Sequence, residues 1–307
     1  MGQSTQSTSD GAGRVLVTGA DGRIGRAVTS ALAAAGRPVT GLALEWTGPS
    51  AADRLVTGDA CDIDAVAEAL DDVAAVVHTA AIPHPNLGTP YEVFRVNTTA
   101  TFNVLDQAGR RGIRRAAIAS SINAFGVPMN RHDVWPAYFP LDEELPVLHD
   151  DPYSLAKFTD EHTARMAHSR WGIDVVAFRL AHVRTMEEAV EASAKLTAGA
   201  GAEVRVAREG WSYIVLDDVV QAFLAALDAP LTGAHVVLLS ADDVLPDIPT
   251  HELLTRFAPH VPTRAQFPDR TALVDTTRAR ELLGWAPIHS AHRPGHIPTL
   301  VPSKEFR

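Results

Sequence analysis

The chain has 307 residues, 46% hydrophobic and 21% charged, which suits one large buried core and the ordinary composition of a globular enzyme. A net charge of −10 argues against a nucleic-acid partner, and the densest basic cluster (Arg110, Arg111, Arg114, Arg115) falls at an expected helix end, where cations suit the dipole. The single Cys61 excludes an internal disulfide, no apolar run reaches membrane-spanning length, and Met1–Gly13 reads as a disordered arm without signal-peptide or myristoylation features, so a cytoplasmic protein with no membrane partner is expected.

In chain order, Arg14–Thr18 reads as a strand and Arg23–Ala35 as a helix, followed by strands at Pro38–Ala43 and Arg54–Thr57. Ala65–Leu70 is an expected helix and Ala74–Thr79 a fourth strand. A Pro-rich loop, Ile82–Pro90, leads to a helix at Tyr91–Arg111, then strand Arg115–Ser120, helix Tyr153–Trp171 and strand Asp174–Leu180. Strands separated by helices of this length imply right-handed βαβ crossovers, hence an α/β fold with a doubly wound parallel (Rossmann) sheet spanning 14–185. Beyond Arg184 the alternation weakens. Glu187–Ala200 reads as helical, Glu203–Ala207 and Trp211–Leu216 as short strands, and Asp217 or Asp218 as the cap of a helix to Leu227. His235–Leu239 reads as a returning strand, Thr250–Phe257 and Thr277–Leu283 as helices, and the tail from Pro287 shows no period. Segments 186–210 and 241–307 are expected to form a small substrate-side subdomain, with 211–240 returning to the sheet.

Gly19-Ala-Asp21-Gly22-Arg23-Ile24-Gly25 directly follows the first strand and opens a helix. Glycines there permit a tight turn and close backbone approach to a pyrophosphate, while the helix start offers free N–H groups to it. The spacing is one residue longer than the usual dinucleotide fingerprint. An acid gripping the ribose 2′-hydroxyl should fall near Ala43; Glu45 lies two residues later on the same strand face, whereas Arg23 suits a 2′-phosphate. NAD and NADP both stay open, with Glu45 inclining the reading to NAD.

Tyr153 and Lys157 are one helical turn apart, so they share a face. A unit charge about 5 Å from the phenolate, at an effective dielectric of about 20, favours it by roughly 3 kcal/mol, enough for proton transfer near neutrality. The chain has three lysines, Lys157, Lys195 and Lys304, which makes one at this position informative. His78/His84 and His162/His168 are six apart, unlike a helical chelating pair, and no metal site is expected. Trp211 and Tyr213 alternate on a presumed strand and read foremost as packing residues.

With these pieces assembled, the chain resembles the extended short-chain dehydrogenase/reductases, the NAD-dependent epimerase/dehydratase superfamily, over about Arg14–Pro287. The carrying segments are TGADGRIG, GDACD, VVHTAA, VNTTATFNVLDQA, ASSINAFG, PYSLAK, GIDVVAFRLAHV, YIVLDDVVQAF and ARELLGW. The resemblance implies that Asp59 and its neighbour Ala60 meet the adenine end, and that Ala80, Ala81 and Leu180 line the cofactor. It implies a supporting role for Asn97, substrate-oxygen binding by Ser121, acid/base action by Tyr153, and ribose binding with phenol tuning by Lys157. Spacing to Gly126 selects Ser121 over Ser120. For Asn97 a plain helix-start role, and for Asp59 a helix cap, are alternatives.

Within that superfamily, Ile122 and Asn123 follow Ser121 where dehydratases carry acids, which disfavours dehydration. After the sixth strand the chain reads Arg179-Leu-Ala-His182-Val-Arg184-Thr, with His182 where nucleotide-sugar epimerases carry asparagine. His182 and Arg184, at a strand's carboxyl end, are substrate-contact candidates, an arginine suiting a carboxylate or phosphate. The leading expectation is an NAD(P)-dependent oxidoreductase acting on an alcohol or carbonyl of a small sugar-like or sugar-acid substrate. The alternatives are a nucleotide-sugar epimerase with tightly held NAD and a non-catalytic cofactor sensor. A homodimer through the helices Tyr91–Arg111 and Tyr153–Trp171 is also expected from the resemblance.

Overall fold

The computed structural model describes residues 13–199 and 204–292. The N-terminal arm, the end of the 187–200 helix, the start of the 203–207 segment and the tail beyond 292 lie outside the described residues. The elements run β1 (Arg14–Thr18), α1 (Arg23–Ala34), β2 (Val39–Ala43), β3 (Arg54–Thr57), α2 (Ile63–Ala69) and β4 (Val73–His78). Next come α3 (Pro90–Arg110), β5 (Arg115–Ser121), α4 (Pro152–Trp171), β6 (Asp174–Leu180) and β7 (Val183–Arg184). The chain continues through α5 (Met186–Ala198), α6 (Val204–Arg208), β8 (Ile214–Val215), α7 (Leu216–Asp228), β9 (Ala234–Leu239), α8 (Thr250–Phe257) and α9 (Thr277–Leu283).

Seven strands form one parallel sheet in the order β3-β2-β1-β4-β5-β6-β9. Val15, Leu16 and Val17 of β1 are all fully buried, as a central parallel strand covered on both faces requires. One face packs Val15, Val17, Val28, Leu32 and Phe223 beneath α1 and α7. The other packs Leu16, Val104, Leu105 and Ala164 beneath α3 and α4. The chain order reverses direction between β1 and β4, so the carboxyl ends of these two strands open a crevice where a ligand can enter the sheet. A third cluster, with Phe125, Phe139, Trp211 and Leu253, joins the sheet through Ile122 and Leu238.

Local chemistry fixes the helix starts that matter to the site. Thr89 and Glu92 form a reciprocal capping box ahead of α3, with Pro90 at its first position. Asp151 caps α4 through the Ser154 N–H, again with a proline first, and Gly172 ends that helix at φ 68°. A buried ion pair then fixes α4 to the sheet: Arg179 of β6 donates from Nε and Nη2 to the two Glu161 oxygens, both at 2.8 Å.

Three expectations for the second half are corrected. Residues 204–208 are a helix rather than a strand; five residues of V-R-V-A-R cannot separate a period of two from a helical turn, and Arg205 faces Glu209 one turn on. Of Trp211–Leu216 only Ile214–Val215 pairs, with β7, because Gly210 and Trp211 both take positive φ. Neither Asp217 nor Asp218 caps α7, whose cap position is Val215. Asp218 is instead buried and accepts from the Ile288 and His289 N–H groups and the His289 ring, tying the late chain to the core.

Arg179→Met leaves Glu161 as a buried, unpaired carboxylate and is expected to cost about 3 kcal/mol of stability, read as a lowered urea midpoint.

Candidate active site

Two cavities of about 430 and 350 Å³ lie over the strand carboxyl ends and share Gly19, Gly22, Thr79 and Ala81, forming one continuous groove. The glycine loop forms its floor. Gly19 has φ +64°, and a Cβ there would sit 2.8 Å from the Ala80 nitrogen, while a Cβ on Gly25 would overlap the Gly19 carbonyl. Only glycines let this loop turn and approach the end of β4, which leaves a backbone cradle of the kind a pyrophosphate fits.

Asp21, Glu45, Asp59, Ala60 and Ala80 line the smaller cavity. Glu45 is exposed there. Asp59 is not the cap of α2: Asp62 accepts from the Asp64 and Ala65 N–H groups, whereas Asp59 accepts from the Cys61 N–H at 2.8 Å. Arg23 and Ile24 line the larger cavity instead, and the Arg23 guanidinium is held in a two-point pair by Glu188 at 2.7 and 2.9 Å.

The larger cavity also brings together Ser121, Tyr153, Lys157, Leu180 and His182. At the end of β5 the alternation separates the two serines. Ser120 is buried and donates to Glu161 at 2.7 Å, while Ser121 caps the 3-10 turn 122–125, its Oγ accepting from the Asn123 N–H at 3.1 Å. With that acceptor position occupied by backbone, the Ser121 hydroxyl proton is available to a ligand, no acceptor for it being present among the described residues. Tyr153 lies in the first turn of α4 and is 7% exposed. Lys157 Nζ lies 6.0 Å from the Tyr153 ring centroid, donates to the Ala119 carbonyl at 2.8 Å and meets Asp160 Oδ2 at 3.5 Å.

Asn97 and Arg184 line neither cavity. Asn97 is buried; its Oδ1 accepts from the Ile82 N–H at 2.7 Å and its Nδ2 donates to the Ile82 carbonyl at 3.1 Å, so it fastens the loop after β4. Arg184 belongs to β7, outside the main sheet, where its neighbour Val183 is the β7 residue that lines the larger cavity.

Residues that sequence reasoning did not single out complete the crevice: His84, Asn123, Met129 and Arg205. Beneath them Glu209, 2% exposed, faces His182 Nδ1 at 3.4 Å and Arg205 Nε at 3.7 Å. His84 is held below the ordinary histidine range by burial first and then by Arg205, with His182 adding to the effect. These basic groups come from three separate segments, and no local motif marks them.

A polar chain backs the groove. The Ala80 N–H donates to Thr18 Oγ1, which contacts His78 Nδ1 at 2.7 Å, and His78 Nε2 contacts Thr101 Oγ1 at 3.1 Å. Thr101 Oγ1 donates its one proton to the Asn97 carbonyl and so accepts from His78, which assigns the ring proton to Nε2. Burial lowers the His78 pKa to about 3, so the ring is neutral.

Comparison with known proteins follows the same lines. The model of the NAD dependent epimerase/dehydratase family matches residues 15–239. The chain belongs to that family. A 3-diazoavenalumate denitrifying reductase of a Streptomyces species is 30% identical over 92% of this chain and 98% of its own. A UDP-glucose 4-epimerase of Mycolicibacterium smegmatis is 28% identical over 89% and 93%. Another curated relative is matched over 35% of its own length. A crystal structure of a short-chain dehydrogenase/reductase superfamily protein of Agrobacterium tumefaciens with bound NAD superposes with a TM-score of 0.67 at 26% identity, covering 91% of this chain and 94% of that one. The family is NAD(P)-dependent, and the cradle at Gly19 and Gly25 fits a dinucleotide.

A neutral buried histidine makes stability pH-dependent. The folded pKa lies below the unfolded value of 6.5, so this contribution is present above pH 6.5 and is lost as pH falls towards 3. Asp160, whose pKa is raised to about 6, acts in the opposite sense between about 4 and 6. His78→Gln keeps Asp160 and should lose less stability than the parent between pH 7 and pH 4, measured by urea midpoints.

Proposed function

We propose that this chain is an NAD-dependent oxidoreductase that interconverts an alcohol and a carbonyl on a small, sugar-like acid. The observation that carries the reading is the shared wall of the larger cavity. Ser121, Tyr153 and Lys157 occupy one side, and Arg205, His182 and His84 the other. The nicotinamide, when bound, supplies the position that takes up or gives hydride. Tyr153 moves the matching proton at the substrate oxygen, and the Lys157 ammonium favours the phenolate form that accepts it. Ser121 directs its free hydroxyl proton to the same oxygen, where negative charge develops.

The basic wall selects the substrate. Glu209 is the buried carboxylate that faces both His182 and Arg205 and orients them, and the Arg205 guanidinium on the cavity wall is the group suited to a substrate carboxylate. His182 stands where nucleotide-sugar epimerases carry asparagine, which favours net redox over nucleotide-sugar epimerisation. The intact Ser121/Tyr153/Lys157 set argues against a non-catalytic sensor. Glu45 beside the smaller cavity and the engagement of Arg23 by Glu188 favour NAD over NADP. Asp59 and Ala60 are assigned to the adenine end, Asn97 to positioning the loop after β4, and Arg184 to supporting the wall from behind.

Among the described residues, the substrate-side subdomain is assigned to 186–199, 204–210 and 241–292. The exposed Tyr91, Phe102 and Leu155 on α3 and α4 support a homodimer through these helices. A cytoplasmic location fits the absence, among the described residues, of a helix long and apolar enough to cross a membrane.

A panel of neutral sugars, sugar acids and nucleotide sugars, scored by NADH absorbance, tests the reading; turnover confined to nucleotide sugars with no net NADH change would overturn it. On the best substrate, Tyr153→Phe is expected to lower kcat at least about a hundredfold with NAD affinity little changed. Arg205→Ala should raise KM for acids at least about tenfold and leave neutral sugars unaffected; equal effects on both would remove the carboxylate role.

A further inference from the structure

Lys157 has a second charged neighbour besides the phenol it serves. Asp160, one turn further along α4, has a side chain only 2% exposed, with Oδ2 3.5 Å from Nζ. Its other oxygen, Oδ1, is buried, and among the described residues no hydrogen bond is formed to it while the Thr101 proton points to the Asn97 carbonyl. The Thr101 hydroxyl of α3 faces this carboxylate, so its proton can turn from the Asn97 carbonyl to Asp160 when the acid ionises.

The other charged groups around Asp160 are already compensated. Glu161, on the same helix, is paired with Arg179 of β6. His78 of β4, behind Thr101, is neutral. From α3 the group facing it is a hydroxyl. Among the described residues, Lys157 is therefore the cation that Asp160 meets, and one ammonium is shared between a phenol and a carboxylate.

Tyr153, Lys157 and Asp160 follow one another in steps of four and three along a single helix face. Seven residues at 1.5 Å each place Asp160 about 10 Å along the axis from Tyr153. At an effective dielectric of about 20, a negative charge at that distance opposes phenol ionisation by roughly one pH unit.

We propose that Asp160 is a positioning residue that sets the working pH of the Tyr153/Lys157 pair: ionised, it offsets part of the ammonium's field at the phenol, and protonated, it releases that field. Burial raises the Asp160 pKa to about 6 despite the pull of Lys157, so the change falls close to neutrality. Below that pH the Lys157/Asp160 pair carries a net positive charge, and above it the pair is neutral. The effect resides in side chains of this chain and does not depend on the substrate proposed above.

A substrate-free measurement tests it. The chain has four tyrosines, and labelling their Cζ carbons with ¹³C allows each to be titrated by NMR, with Tyr153→Phe identifying the relevant signal. In Asp160→Asn the midpoint of Tyr153 ionisation is expected about one pH unit lower than in the parent. Asp160→Ala should give the same displacement, since both variants remove the charge but differ in shape. Binding of NAD, followed by tryptophan fluorescence, verifies that each variant is folded. An unmoved midpoint overturns the proposal. So does an upward one, which would make Asp160 the support of the ammonium rather than a brake on its field, and so does a displacement in Ala without one in Asn, which would trace the effect to packing.

Discussion

The crevice depends on one buried ion pair. Glu161 and Arg179 join α4 to β6 by two parallel hydrogen bonds, Ser120 of β5 adds a third contact, and the guanidinium lies 4.4 Å from the Phe125 ring. Three elements are thereby fixed in register around one carboxylate. Such a pair contributes little net stability over an apolar replacement, yet losing either partner leaves an isolated buried charge. Its consequence is positional. Tyr153 and Lys157, two and one turns before Glu161 on α4, are held beside Ser121, the residue next to Ser120.

The same logic governs the groove for the dinucleotide. Its floor is backbone, because Gly19 and Gly25 leave no room for a Cβ, and its rear wall is the chain Thr18–His78–Thr101, which bolts β1, β4 and α3 together. A neutral histidine serves there because each ring nitrogen meets a hydroxyl and no charge is placed in the core. Asn97 extends the arrangement by fastening the loop after β4. The groove is thus rigid on the cofactor side, where one ligand must be held reproducibly.

The opposite wall is assembled differently. His84 comes from the loop after β4, His182 from the end of β6, and Arg205 from α6, and Glu209 lies beneath the last two. Arg205 is the cation of this wall, burial and that guanidinium hold His84 below the ordinary histidine range, and Glu209 faces Arg205 and His182 from beneath. Arg205, His182 and His84 line the crevice opposite Tyr153, and the substrate proposed above rests on that guanidinium.

The sequence by itself determined the parallel sheet, the glycine loop and the one-turn spacing of Tyr153 and Lys157. Each is a local pattern: a period of two or 3.6, a glycine that alone fits its backbone, or a fixed offset along a strand or helix. The tertiary structure decided what depends on distant segments meeting. It turned Asp218 from an expected cap into an anchor for His289, left Arg184 off the lining of both cavities while its β7 neighbour Val183 lines the larger one, and brought Arg205 in. It also placed Asp160 against Lys157 under a hydroxyl from another helix, where burial alters its chemistry. The physical reason is the same in each case: periodicity fixes which face a residue occupies, whereas the partner on that face is fixed only when the layers pack.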